Sequence, residues 1–208
     1  MTPANAIYAL WFAWLVSWTI AMLWSDRTEK RDALPAEFLF RVLFYAGLIL
    51  LLAYPSTSST HARTQLWSLR DPIKWVLVAP VAAGLLFAWW ARIHLGRLWS
   101  DRVVRKAGHH VVDTGPYRLV RHPIYSGLIL AALSTAVQKG TALALLGVVL
   151  VTLAFWIKAR REERFLRAEL GADAYESYAR KTAMLAPFVR IQTPVRDRAT
   201  HAHPPRPR

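Results

Sequence analysis

The 208 residues contain no cysteine and only 9 glycines. The first absence excludes disulfide-stapled scaffolds and thiolate metal sites, and the second excludes collagen-like repeats and glycine-rich linkers. Acidic residues are also scarce, with 13 Asp and Glu against 27 Lys and Arg and a formal net charge of +14. Charged residues of both signs make up only 19% of the chain, whereas 54% is hydrophobic and 10 residues are tryptophan. A disordered chain has the reverse composition. In a soluble protein the basic excess would suggest nucleic acid or an anionic surface, but the apolar content competes with that reading.

The distribution of apolar residues decides between them. Ala6 to Trp24 is a run of 19 residues without a charge, and at about 1.5 Å per residue it covers roughly 28 Å, the thickness of a bilayer's hydrocarbon layer. Met1 to Asn5 carries no Lys or Arg, so the run does not read as a signal peptide. Phe38 to Tyr54, Trp75 to Ala91 and Thr141 to Ile157 are three further runs of 17 residues each. Ile124 to Val137 has 14 residues and covers about 21 Å, too little to cross alone. The pattern predicts an all-α integral membrane protein of about five transmembrane helices with a cytoplasmic C-terminal region. With the N-terminus outside, 22 basic residues fall on the inner side and 4 on the outer, with Arg41 inside a span. The positive-inside rule then predicts a cytoplasmic C-terminus. Topology and contact with anionic lipid account for the net charge, so the bilayer is the expected partner and nucleic acid is not. No feature of the sequence reads on oligomeric state.

Three regions are expected: N-terminal transmembrane helices over 1–93, a catalytic region over 94–190, and a basic tail over 191–208. The tail has no apolar periodicity and reads as disordered or as an interfacial arm. The polar sequence gathers in two pieces. The first includes Leu95-Gly96-Arg97-Leu98-Trp99-Ser100 and the stretch from His109 to Tyr125. Gly115-Pro116 is turn chemistry, and Pro123 suits the first position of a helix, where its missing N–H costs nothing. Arg121 and His122 would then stand at a helix N-terminus on the membrane surface. The second piece starts at Lys158 and carries Glu162, Glu163, Tyr175 and Tyr178. It reads as the last span running on as an amphipathic helix, with Gly171 as its cap and Asp173 opening a short further helix.

Taken singly, these residues have ordinary structural roles. Arg121 and His122 could be interfacial anchors, the tyrosines an aromatic belt, and Glu162 and Glu163 a helix face paired with Lys158, Arg160 or Arg167. His109 and His110 read as surface residues rather than a metal site, and no metal is expected. The ordered set is more specific. Gly115-Pro116-Tyr117-x-x-x-Arg121-His122-Pro123-x-Tyr125-x-Gly127, followed by Glu162-Glu163-x-x-Leu166 and Gly171-x-x-x-Tyr175-x-x-Tyr178, resembles the isoprenylcysteine carboxyl methyltransferase family and its phospholipid-methyltransferase relatives. The resemblance covers about Leu95 to Pro187. It implies a bacterial inner-membrane enzyme that uses S-adenosylmethionine and acts on a lipid-like or lipidated acceptor.

By the same resemblance, cofactor contacts map onto His109, His110, Val111 and Val112, onto Tyr117, and onto His122, Pro123, Ile124 and Tyr125. Residues at the reaction centre map onto Lys158 and Glu162, with Arg121 counted among the catalytic set. The family often has arginine where this chain has Lys158, which lacks a bidentate fork; Arg160 could compensate. The residue chemistry agrees independently. Aromatic rings suit an adenine and a sulfonium, helix N–H groups suit a carboxylate or carbonyl oxygen, and Glu162 or Glu163 suits an ammonium or a ribose diol. Two other classes stay open: a membrane reductase using a nicotinamide dinucleotide, and a non-catalytic lipid-binding protein.

Overall fold

The computed structural model describes residues 1–22, 34–53, 65–96, 112–170 and 172–187. Among them the chain forms α1 (Pro3–Met22), α2 (Leu34–Leu52), α3 (Asp71–Leu95), α4 (Pro123–Lys139), α5 (Ala142–Leu170) and α6 (Ala172–Lys181), with a 3₁₀ turn at Gly115–Arg118. No named strand occurs among the described residues; two isolated bridges, Gln65 with Thr141 and Val120 with Ala183, are the sheet-like contacts. The fold is therefore all-α, as expected. The tail 191–208, the Arg97–Ser100 part of the first polar piece and Gly171 lie outside the described residues.

Local chemistry sets the helix limits. Proline stands in the first turn of both α3 and α4, where no intrahelical N–H is lost. α4 closes at Gly140, whose φ of +63° is left-handed and whose N–H returns to Ala136 O. α5 is one continuous helix of 29 residues, apolar in its first part and charged in its second. At about 1.5 Å per residue it is roughly 44 Å long, longer than the hydrocarbon layer, so its charged end projects beyond it.

Pro3–Ala21, Asp71–Leu95 and Ala142–Ala168 are long and apolar enough to cross a membrane. α2 and α4 run between the same two ends of the bundle. At one end Lys158 of α5 lies over the Phe40 ring of α2. At the other, Lys139 of α4 donates to Leu51 O and Ala53 O at the end of α2, at 2.8 and 2.7 Å. The short apolar segment is thus a helix of 17 residues, about 26 Å, that reaches both ends.

Lipid offers no hydrophobic drive for helix association, so close backbone approach has to supply the packing. Two glycine crossings do so. A Cβ on Gly84 of α3 would strike Gly127 O of α4, and one on Gly127 would strike Gly84 O, with Ala88 and Ala131 flanking the crossing. Gly47 of α2 and Gly147 of α5 meet in the same reciprocal way. α1 instead joins through aromatic rings: Trp14 stacks on Trp18, which meets Trp89 edge-on. Two indole N–H groups at this contact find partners away from water, whereas the buried Nε1 of Trp14 has none among the described residues. Trp11 donates to Thr135 Oγ1 at 3.0 Å and Trp89 to Ser17 Oγ at 3.1 Å. The outward faces carry exposed Phe12, Val76, Leu86 and Val149, which suits lipid as the surrounding solvent.

Candidate functional site

Two segments far apart in sequence are laced together at one end of the bundle. Gly115 opens the 3₁₀ turn with φ +56°, and the His94 ring lies where a side chain on it would stand. His94 Nε2 pairs with Thr114 Oγ1 at 2.9 Å. Tyr117 is buried on that turn, and its carbonyl accepts from the Tyr178 hydroxyl of α6 at 2.7 Å. Arg121 N donates to Ala183 O and His122 N to Met184 O, and Ser126 Oγ donates to Leu185 O. The segment after α6 therefore occupies the backbone donors of the two residues that precede α4.

Arg121 fixes this strap. Its Nη1 donates to Ala179 O at 2.9 Å and Thr182 O at 2.6 Å, capping the end of α6, and its Nε donates to Glu163 Oε1 at 2.7 Å. Glu163 is 1% exposed. Its other oxygen meets Arg167 Nη2 at 3.4 Å, and Arg167 Nε reaches Glu176 of α6 at 2.7 Å. A carboxylate this deep is held only because cations and donors surround it.

His122 stands between the two glutamates. Nδ1 lies 3.4 Å from Glu162 Oε2 and Nε2 lies 3.3 Å from Glu163 Oε1. Both ring nitrogens facing carboxylates suits the doubly protonated imidazolium. Burial alone would pull the imidazole below its ordinary value of 6.5, but the hydrogen bonds and charges of Glu162 and Glu163 outweigh it and hold it above. Burial pushes the hydroxyls of Tyr117, Tyr175 and Tyr178 up, which keeps them as neutral donors.

Glu162 differs from its neighbour. It keeps 21% side-chain exposure and accepts from the Tyr125 hydroxyl at 2.6 Å. The Tyr125 ring stacks on His122 at 5.4 Å and on Phe155 at 4.7 Å, so protein already packs it, as the core packs Tyr117. Lys158 lies 4.8 Å from the Phe40 centroid and 5.9 Å from that of Tyr125. The site is thus one half-open carboxylate with an ammonium on the same helix face, backed by aromatic rings and a buried Arg121–Glu163–His122 cluster. Phe155 also lines a narrow apolar cleft with Trp11, Trp14, Phe44, Leu48, Leu51, Leu128, Ala132 and Val151.

The structure brings Arg121, His122, Tyr125, Lys158 and Glu162 together. Pro123 and Ile124 are buried beneath them at the start of α4, Tyr117 lies on the adjoining turn, and Val112 packs against the core from the same side. His109, His110 and Val111 lie outside the described residues. Sequence reasoning missed Phe40, Phe155 and His94. Phe155 was within reach, since it precedes Lys158 by three residues and Glu162 by seven and so shares their face.

These features define an all-helical integral membrane protein with a carboxylate–imidazole site at one end of its bundle. Residues 76–168, from α3 to just past the Glu162–Glu163 pair, match the sequence model of the isoprenylcysteine carboxyl methyltransferase family. Two proteins named "Probable protein-S-isoprenylcysteine O-methyltransferase", from Oryza sativa subsp. indica and subsp. japonica, are each 36% identical over 113 residues, 54% of this chain and 53% of theirs. The chain thus spans about half the length of these curated relatives. "Protein-S-isoprenylcysteine O-methyltransferase B" of Arabidopsis thaliana is 24% identical over 175 residues, 74% of this chain and 87% of that protein.

Proposed function

We propose that the chain is a membrane-embedded methyltransferase that transfers the methyl group of S-adenosylmethionine to a lipid-like or lipidated acceptor carrying a carboxylate, an amine or a similar nucleophile. The observation that carries this reading is the Glu162–Lys158 pair, set on one face of α5 against Tyr125 and His122 within the region that matches the family. The donor set fits the cofactor: the half-open Glu162 retains acceptor capacity for an ammonium or a diol. By the resemblance, His109 to Val112, Tyr117 and the residues from His122 to Tyr125 would hold it.

When bound, the cofactor supplies an electrophilic methyl on a sulfonium. Lys158 and Glu162 would set the acceptor's oxygen, nitrogen or sulfur against that methyl, whose bonding pair would stay with sulfur in a neutral thioether. No proton has to move at the methyl group, so the protein's task is alignment and exclusion of water. Lys158 neutralises a negative acceptor, and Glu162, held by the Tyr125 hydroxyl and by His122, fixes its orientation. In the membrane, the site faces the cytoplasm, where the soluble cofactor is available.

The test is a radiolabelled methyl-transfer assay into total membrane lipids. Glu162→Gln should lower turnover by about 10²-fold, because a nucleophile displaced by an ångström has that scale of effect. Wild-type turnover in the variant would remove Glu162 from the site. No transfer by either chain, with tight binding of a reduced nicotinamide dinucleotide, would replace the reading with a reductase.

A further inference from the structure

α5 carries a second ordered pattern on the face turned away from the site. Leu146, Val149, Leu153 and Trp156 are 47%, 59%, 41% and 43% exposed, and Arg160 and Arg164 follow them. At about 100° per residue all six side chains fall within about 80° of the helix circumference, so they form one stripe. Along the axis it passes from aliphatic to aromatic to cationic. That is the order of hydrocarbon, interface and headgroup in one leaflet, with Trp156 marking the boundary. Arg160 lies one turn, about 6 Å, beyond Trp156, and Arg164 about 6 Å further.

Arg160 is held in place before any ligand arrives. Its guanidinium carbon lies 5.4 Å from the centroid of the Trp156 ring. Its Nε is buried and has no hydrogen-bond partner among the described residues. A guanidinium fork stacked on an indole loses less freedom on binding than a lysine would, and its geometry matches two oxygens of one phosphate. The aliphatic stretch from Leu146 to Leu153 lies where the acyl chains below such a phosphate would run.

We propose that Trp156, Arg160 and Arg164 form a binding site for the phosphate of an anionic membrane lipid, in the leaflet at the α4 N-terminal end of the bundle. The site is independent of the reaction, but it has a consequence for it. Arg160 stands at the axial level midway between Lys158 and Glu162, which lie on the opposite side of the same helix. A lipid phosphate on Arg160 therefore holds the Lys158–Glu162 face at headgroup depth.

The experiment is native mass spectrometry of the purified full-length chain with dioleoyl phosphatidylglycerol, with dioleoyl phosphatidylcholine, and with glycerol phosphate as a soluble headgroup. Wild type should retain phosphatidylglycerol about tenfold more tightly than phosphatidylcholine. Arg160→Gln and Arg164→Gln should each lower that preference about fivefold, the effect of one basic residue near a charged surface. Arg160→Lys, which keeps the charge and loses the fork, should fall between, and it serves as the test if Arg160→Gln does not fold. Arg180→Gln, on the exposed side of α6, should match wild type. The proposal is overturned if the Arg160 variants keep the full preference, if Arg180→Gln loses as much as they do, or if glycerol phosphate displaces the lipid.

Discussion

The two ends of the bundle solve the same problem with different chemistry. At the end opposite the site, polar side chains close off backbone groups. Lys139 donates to Leu51 O and Ala53 O, Trp67 Nε1 to Val137 O at 2.9 Å, and Gln138 Nε2 to Lys74 O at 3.4 Å. At the site end, side chains hold other side chains: Arg121, His122 and Arg167 converge on Glu163, while Tyr125 and His122 hold Glu162. The first arrangement terminates helices. The second leaves one carboxylate, Glu162, tethered but half open, and keeps its neighbour Glu163 buried as an anchor. Adjacent residues of one type thus take different roles through their exposure and their partners.

The contrast is broken most severely by removing the anchor. Glu163→Ala leaves Arg121 and His122 buried without their counter-charge and loosens the strap after α6. A loss of about 3–5 kcal/mol is expected, the range for breaking a buried ion pair by deleting one partner. Thermal unfolding in detergent reads it, and a loss within that of a surface pair, about 1 kcal/mol or less, would mean that the cluster contributes little to the fold. Glu162→Gln, the test of turnover above, takes one carboxylate from His122 but keeps Glu163 with Arg121 and Arg167, so it should lower the unfolding temperature less than Glu163→Ala. The pair of variants therefore separates anchor from site.

A smaller effect is expected at the other end. Lys139→Met removes a cation from two carbonyl oxygens but leaves no opposite charge stranded. It should cost about 1.5–3 kcal/mol, the worth of hydrogen bonds to a charged group, and should leave methyl transfer unaffected. The same unfolding measurement checks it. A loss equal to that of Glu163→Ala would erase the distinction between the two ends.

What the sequence disclosed follows the range of the interactions. Pro123 as the first residue of α4, and the uninterrupted run of α5 from lipid to charged end, are local signals of proline chemistry and periodicity. The face shared by Lys158 and Glu162 is legible for the same reason, since they are four residues apart on one helix. The strap is not: Arg121 meets Ala179 and Thr182 across 58 and 61 positions, and carbonyl oxygens carry no residue identity to search for. The Phe40–Lys158 contact was equally hidden, because Phe40 read only as one apolar residue of a span. Tyr125 was singled out by pattern as a cofactor contact; its ring is stacked between His122 and Phe155 and its hydroxyl serves Glu162.

The finest distinction concerns pH and rests on His122. Its folded-state value is held above the ordinary 6.5 by Glu162 and Glu163 against the opposing pull of burial. A group raised in the folded state binds its proton more tightly there than in the unfolded chain. Its contribution to stability is therefore fully present below about pH 6.5 and declines as pH rises through the folded-state value. Each unit of difference between the two states is worth about 1.4 kcal/mol. His122→Gln cannot carry the charge, so it lacks this contribution at every pH. The gap in unfolding temperature between wild type and His122→Gln should therefore be widest in acid and narrow steadily toward alkaline pH. Lys139→Met, at the far end, should show no such narrowing across the same range. A His122→Gln gap that stays constant or widens with rising pH would mean that the imidazole between the two glutamates is neutral, and that Arg121, Arg167 and Lys158 balance them.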